Sequence, residues 1–140
     1  MRKMSLDVGT RTIGIAVSDL MGMIANGVET IRRTSEEKDY KRIAQLIKEH
    51  EVDTLVVGYP KNMNGTIGER AQACEAMAHK LEDMFPEVNV VLWDERLSTV
   101  AAEKVLVDAD MRRNKRKKII DMMAAVVILQ NYLDSKAFKI

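Results

Sequence analysis

The sequence predicts an α/β protein with a mixed sheet of about five strands, on three observations. Apolar residues alternate through the first third of the chain, as Met4, Leu6 and Val8 and then Ile13, Ile15 and Val17, the two-residue period of a strand with one buried face. Beyond residue 33, helical spacing and short apolar strands take turns, which calls for parallel strands joined by right-handed crossovers. The length, 140 residues of which 46% are hydrophobic, suits one domain, residues 1–140, with a core of its own.

The elements follow in order. The first two strands are separated only by Gly9-Thr10-Arg11-Thr12, a turn-like link that makes them an antiparallel hairpin, and a third strand is expected from Ala25 to Ile31. Thr34 followed by Glu37 has the spacing of a capping box, and Tyr40, Ile43, Ala44 and Ile47 then recur at helical intervals. Thr54 to Val57 reads as a short buried strand ending at Gly58, with a loop from Tyr59 to Gly68. A second helix carries the stripe Ala71, Cys74, Ala78 and Leu81, and Val88 to Trp93 is a further strand. Ser98 or Thr99 can cap a helix running to about Ala109. The last helix, Ile119 to Leu133, is apolar on nearly all sides, the pattern of a buried helix.

Composition narrows the class. One cysteine, Cys74, leaves no internal disulfide framework and suits a reducing compartment. The longest apolar run, Met122 to Leu129, falls well short of the ~18 residues of a membrane span. Asp7, Arg11 and Asp19 interrupt any signal-peptide core. The expectation is a soluble, cytoplasmic protein with no membrane partner. The net charge is only +1, yet Arg112, Arg113, Lys115, Arg116, Lys117 and Lys118 place six positive charges within seven residues. A mildly acidic body with one dense basic segment suits a local polyanion contact, although a solvated loop is the plainer reading.

Three carboxylates stand in unusual places. Asp7 lies in or at the end of the first strand, where Asp is depleted; it either caps the Gly9 turn or is held on the sheet at the mouth of a cleft. Glu95 ends a strand, on the face of Val91 and Trp93, with Asp94 on the face of Leu92. Ligands of parallel sheets bind beyond such carboxyl ends, the alternative being a surface ion pair with Arg96. Asp121 falls in the first turn of the last helix, where an acid is favoured by the dipole. It shares a face with Ala124, Ala125 and Ile128, small enough to let the helix press against the sheet, and a carboxylate carried inward needs a cation. Three acids on separate rigid elements suit a hard ion, Mg²⁺ or Mn²⁺, better than zinc. His50, His79 and Cys74 stand singly and read as structural, and the ten methionines read as core filler.

Together these segments resemble a known family. Residues 6–19, Leu-Asp-Val-Gly-Thr-Arg-Thr-Ile-Gly-Ile-Ala-Val-Ser-Asp, resemble the opening motif of the pre-16S rRNA nuclease family, bacterial Holliday-junction-resolvase-like proteins. Residues 57–66 are similar to its central loop, and 94–99 and 117–125 to its third and fourth motifs. The resemblance runs in order from about residue 4 to 133. It implies an RNase H-like fold, a mixed five-stranded sheet with an antiparallel opening meander and helices on both faces. It implies that Asp7, Glu95 and Asp121 are catalytic metal ligands, in a small cytoplasmic nuclease of ribosomal RNA 5′-end maturation. Ser98 and Tyr59 depart from its common threonine and leucine, and neither departure replaces one of the three carboxylates.

The chemistry then expected is metal-assisted phosphodiester hydrolysis with one divalent ion, or two about 3.5–4 Å apart. In an RNase H-like sheet the strand of Glu95 is not beside that of Asp7, so its loop has to reach inward. The basic segment from Arg112 to Lys118 would hold the substrate backbone. Arg11 is a second phosphate contact, and Asn62 and Asn64, with Gly65, a substrate edge. Six aromatic residues make no base-stacking platform, which favours structured RNA or junction DNA over unstructured single strands. The alternatives are a Holliday-junction-resolvase-like DNA endonuclease, which needs a dimer to cut symmetrically, and a non-catalytic RNA- or ribosome-binding module. The Asp7-Val8-Gly9-Thr10 turn is also similar to the phosphate-binding hairpin of sugar-kinase and actin-like ATPases, which need two lobes. No exposed dimer stripe is evident, and a monomer or weak dimer is expected.

Overall fold

The computed structural model describes residues 1–60, 65–94 and 113–137, with side chains described from 122 to 136 in the last stretch. The elements run β1 (Arg2–Val8), β2 (Thr12–Ser18), β3 (Ala25–Arg32), α1 (Glu36–Glu49), β4 (Val52–Tyr59), α2 (Glu69–Met84), β5 (Asn89–Asp94) and α3 (Arg113–Ala137). Among the described residues the strands form one sheet in the order β3-β2-β1-β4-β5. β1 pairs antiparallel with β2 and β2 with β3, whereas β4 runs parallel to both β1 and β5. This is the mixed sheet that the alternation predicted. β4 stands between the strand of Asp7 and the strand that leads to Glu95.

The two-residue period divides the sheet into two faces with different partners. Met4, Leu6, Val8, Ile13, Ile15, Leu55 and Val57 turn to one side and pack with Tyr40, Ile43 and Leu46 of α1 and with Ala71, Cys74, Ala78 and Leu81 of α2. The predicted stripe of α2 is thus the buried one. Ala16 and Val56 turn to the other side and meet Ala125, Ile128, Leu129, Tyr132 and Leu133 of α3. Arg42 of α1 adds a two-pronged pair with Glu29 of β3, at 3.0 and 2.6 Å. Among the described residues no helix is long and apolar enough to cross a membrane.

Several expectations are corrected. The N-cap of α1 is Ser35, not Thr34: its extended backbone lets Oγ accept the Lys38 N–H at 3.3 Å, while the Thr34 N–H donates to Asp39. The last helix begins at Arg113, six residues before Ile119. Lys and Arg are good helix formers, and no Gly or Pro between 113 and 121 stops the helix. The basic run from Arg113 on is therefore helical, and Asp121 is the ninth residue of α3, not part of its first turn. Nor is α3 buried all round. Ala124, Ala125, Ile128, Leu129, Tyr132 and Leu133 are buried along one stripe, and Met122, Met123, Val126 and Val127 are half-buried beside it. The helix expected from Ser98 or Thr99 to Ala109 lies outside the described residues.

The methionines are only in part core. Met4 and Met77 are buried, but Met1, Met21, Met23 and Met84 are exposed. Met21 and Met23 belong to the β2–β3 connection, where Leu20 and Ile24 are also exposed, so an apolar patch exists that the strand and helix periods did not reveal. That connection is well tied. Asp19 Oδ1 accepts the N–H groups of Met23 and Ile24 at 2.8 and 3.2 Å. The Met23 contact, followed by that of Ile24, holds the Asp19 carboxyl below its ordinary value.

Candidate active site

The seat of α3 on the sheet is a row of very small residues. Gly27, Ala16 and Ser5 are neighbours across β3, β2 and β1. The Ser5 hydroxyl, fully buried, donates to the Ala125 carbonyl at 2.6 Å, and a Cβ on Gly27 would stand 2.7 Å from Met122 Cγ. Larger side chains in this row would lift the helix away. The alanine face anticipated from the sequence does press against the sheet.

The direction of α3 follows from its other end. Gln130 accepts the Ala25 N–H at 2.9 Å and donates to the Met23 carbonyl at 2.9 Å, at the beginning of β3, whereas Met122 lies over Gly27, two residues further along that strand. The helix therefore runs, from Gln130 back toward its N-terminus, to the end of the sheet where β1 finishes. Asp7 stands at that end. It follows Ser5 by two residues, so it is on the α3 face, about 6.6 Å further along the strand. Asp121 precedes Ala125 by four residues, on the same helical face and about 6 Å further along the axis. The two positions thus step in the same direction from one shared contact.

Asp7 is half-buried, and its partner in β2 is Gly14. The glycine contributes no side chain of its own beside the carboxylate. In β5, Val91 and Trp93 occupy the α3 face, and Asp94, paired with Tyr59, occupies the other, as the alternation predicted. Trp93 meets Tyr132 edge-on at 5.8 Å, and its indole N–H is buried with no hydrogen-bond partner among the described residues. Glu95, two residues beyond Trp93, lies outside the described residues, as do Asn62, Asn64 and Arg112. Arg113, Lys115, Arg116, Lys117 and Lys118 fall in the first two turns of α3. Arg11 is exposed in the turn after β1, and Gly65 is exposed with a φ of 85°, the left-handed conformation expected of a glycine turn.

The tyrosine at position 59 is a core residue with a polar tip. Its ring is buried, and its hydroxyl donates to a Glu75 carboxylate oxygen on α2. That hydrogen bond, assisted by burial, pushes the phenol up to about 12. His50 closes α1, its N–H donating to the Leu46 carbonyl at 3.0 Å, and His79 is exposed on α2. Among the residues whose side chains are described, no three His, Cys, Asp or Glu groups gather in a metal-binding cluster; of the three predicted acids only Asp7 is among them.

Sequence reasoning missed what holds the turn behind Asp7. Arg33, just past β3, donates through Nη1 to the Gly9 carbonyl at 2.8 Å and through Nε to Asp39 Oδ2 at 3.2 Å. Asp39 is buried. A charged residue at a strand end ordinarily signals solvent, so nothing local to the sequence marked this pair.

Comparison with known proteins gives a consistent picture. A family model described as RuvX, Holliday junction resolvase, matches residues 1–135. Proteins from Geobacillus sp. (strain WCH70) and Geobacillus kaustophilus, which carry the provisional name pre-16S rRNA nuclease, are 58% and 59% identical over 138 residues, covering 97% of this chain and 99% of each relative. A Bacillus cytotoxicus protein of the same name is 54% identical, with 97% and 100% covered. Among solved structures, a Fowlpox virus resolvase bound to Holliday junction DNA aligns with a TM-score of 0.61 at 13% identity, covering 97% of this chain and 99% of that one. Thermus thermophilus RuvC with a Holliday junction substrate gives 0.58 at 12% identity, covering 99% and 96%. At such identities the likeness is one of fold, and the fold is RNase H-like.

Proposed function

Because the chain belongs to the RuvX Holliday junction resolvase family and its close relatives are named as nucleases, we propose that it hydrolyses phosphodiester bonds in 5′-end maturation of precursor 16S rRNA. Asp7, Glu95 and Asp121 are the catalytic carboxylates of this reading. One observation carries it: from the Ser5–Ala125 contact, β1 and α3 lead Asp7 and Asp121 in the same direction on facing surfaces.

The donor set fits a divalent ion of the Mg²⁺ or Mn²⁺ kind. It is all carboxylate oxygen, which such ions prefer. One or two bound ions would lower the pKa of a water nucleophile and offset charge on the leaving oxygen. The residues themselves do the positioning. Asp7 is a fixed oxygen donor because its strand is paired on the β2 side through Val8–Ile13. Asp121 is fixed by a helix sealed to the sheet one turn later. Glu95 would complete the set from the carboxyl end of β5.

Substrate affinity is assigned to the basic run. From Arg113 it opens a helix whose N-terminus already carries a partial positive charge, so helix dipole and side-chain charges repel one another until an anion is present. Phosphates of a nucleic acid relieve that repulsion without reading sequence. Arg11, in the turn after Asp7, and Asn62 and Asn64 are further substrate contacts in this reading. The cell compartment it fits is the cytoplasm, where the precursor is made.

The test is cleavage of a precursor rRNA 5′ end and of a four-way DNA junction side by side, with Mg²⁺ or Mn²⁺ and with chelator. Metal-dependent cleavage of the rRNA, lost in Asp7→Asn by at least a hundredfold while nucleic-acid binding persists, is the expected result. Cleavage of the junction alone would make the protein a DNA endonuclease. Binding without cleavage of either would leave the non-catalytic module.

A further inference from the structure

We propose that Arg33 is a positioning residue for the β1 carboxylate, acting with Asp39 and Arg70 as a brace on the turn that follows it. β1 is paired with β4 through Leu6–Val57 and with β2 through Val8–Ile13. Past these pairs the chain reverses, with the Gly9 N–H donating to the Thr12 carbonyl at 2.8 Å. Arg33 holds both sides of that reversal. Its backbone N–H donates to the Arg11 carbonyl at 2.8 Å, and its guanidinium donates to the Gly9 carbonyl at 2.8 Å. Arg70, from the first turn of α2, adds a longer contact to the Val8 carbonyl at 3.4 Å. The two carbonyls that follow Asp7 are therefore both engaged by guanidinium groups.

Asp39 makes the brace rigid. Its side chain is only 4% exposed; one oxygen accepts Arg33 Nε and the other the Thr34 N–H at 3.4 Å. A carboxylate so buried is costly unless paired, and its ion pair is with the guanidinium that holds the Gly9 carbonyl. The planar fork matters: Nε and Nη1 engage Asp39 and Gly9 together, which a lysine ammonium on a flexible stem does not reproduce. The brace also acts from behind. Arg33 and Arg70 line a cavity of about 500 Å³ with Val8, Gly9 and Cys74, on the α2 side of the sheet, whereas Asp7 faces α3. Arg33 thus works through the turn and does not touch a substrate bound at Asp7.

This inference rests on the reading of Asp7 as a catalytic carboxylate, and the experiment separates the two. Full-length Arg33→Lys, Asp39→Asn and Asp7→Asn are compared with the unaltered protein for kcat and KM on the precursor rRNA 5′ end, and for Mn²⁺ binding by calorimetric titration without substrate. Thermal unfolding establishes that each is folded at the assay temperature. The expected result for Arg33→Lys is a kcat lower by roughly tenfold or more with KM unchanged within about twofold, since small displacements of a reacting group are costly, together with weaker Mn²⁺ binding. Asp39→Asn should share the pattern, and it carries the test if Arg33→Lys does not fold. Folded variants with unaltered kcat and Mn²⁺ affinity, beside an inactive Asp7→Asn, would overturn the brace alone. Full activity in Asp7→Asn would overturn the reading on which the brace rests.

Discussion

Tyr59 couples a strand end to a helix through one hydrogen bond. It ends β4, and its hydroxyl donates to Glu75 of α2. Folded, the phenol is held protonated up to about 12 by that bond, against about 10 in the unfolded chain. The sign follows: the folded state keeps the proton longer, so the stabilisation is complete below pH 10 and is lost as pH rises through 12. Tyr59→Phe lacks the bond at every pH. The difference in unfolding free energy between the two proteins should therefore be constant below about pH 9 and shrink between pH 10 and 12, as measured by urea unfolding across that range. A difference that stays the same up to pH 12 would show that folding does not perturb the phenol. At the same scale Gly27 matters for what it lacks. With Met122 seated where a Cβ would go, the glycine sets how closely α3 approaches, and with it the depth at which Asp121 is carried along the sheet.

At the scale of elements, the strands and their sense of pairing were legible because alternation and short turns depend on near neighbours. The stripe of α2 and the close face of α3 were legible for the same reason, and the carboxylate positions on β1 and α3 rest on those periods. The start of α3 was not. A run of Lys and Arg is equally good helix and equally good solvated loop, and what decides is continuity with a packed helix downstream. Ser35 and Thr34 are both capable caps, and the extended backbone of Ser35 decides between them. Arg33 and Asp39 were invisible as a pair because the sheet turn that joins them to Gly9 is a tertiary feature. The basic opening of α3 carries its own expectation. Charge reversal at Arg113, Lys115, Arg116, Lys117 and Lys118 should weaken nucleic-acid binding and flatten its dependence on salt, by roughly 0.7 to 0.9 in log K per log salt for each phosphate contact removed. Fluorescence anisotropy over a range of KCl concentrations measures it, and an unaltered slope would remove the basic run from the interface.

For the whole molecule, the sheet is a device for bringing separated parts of the chain to one end. β1 delivers Asp7 at the centre, the β1–β2 turn is braced from the α2 side, and α3 descends across the opposite face from the same end. The apolar β2–β3 connection, with Leu20, Met21, Met23 and Ile24 exposed, lies at the other end of the sheet, away from Asp7. The proposed function divides the sheet between a reacting end and a remote one. What the division requires is a shared ion between elements more than a hundred residues apart in the chain. The position of Mn²⁺ in crystals of the protein, located by its anomalous scattering, measures this directly. The expected result is an ion bonded to oxygens of both Asp7 and Asp121, with Glu95 on that ion or on a second about 4 Å away. Manganese bound to neither aspartate, or the two carboxylates lying too far apart to touch one ion or a bridged pair, would contradict it.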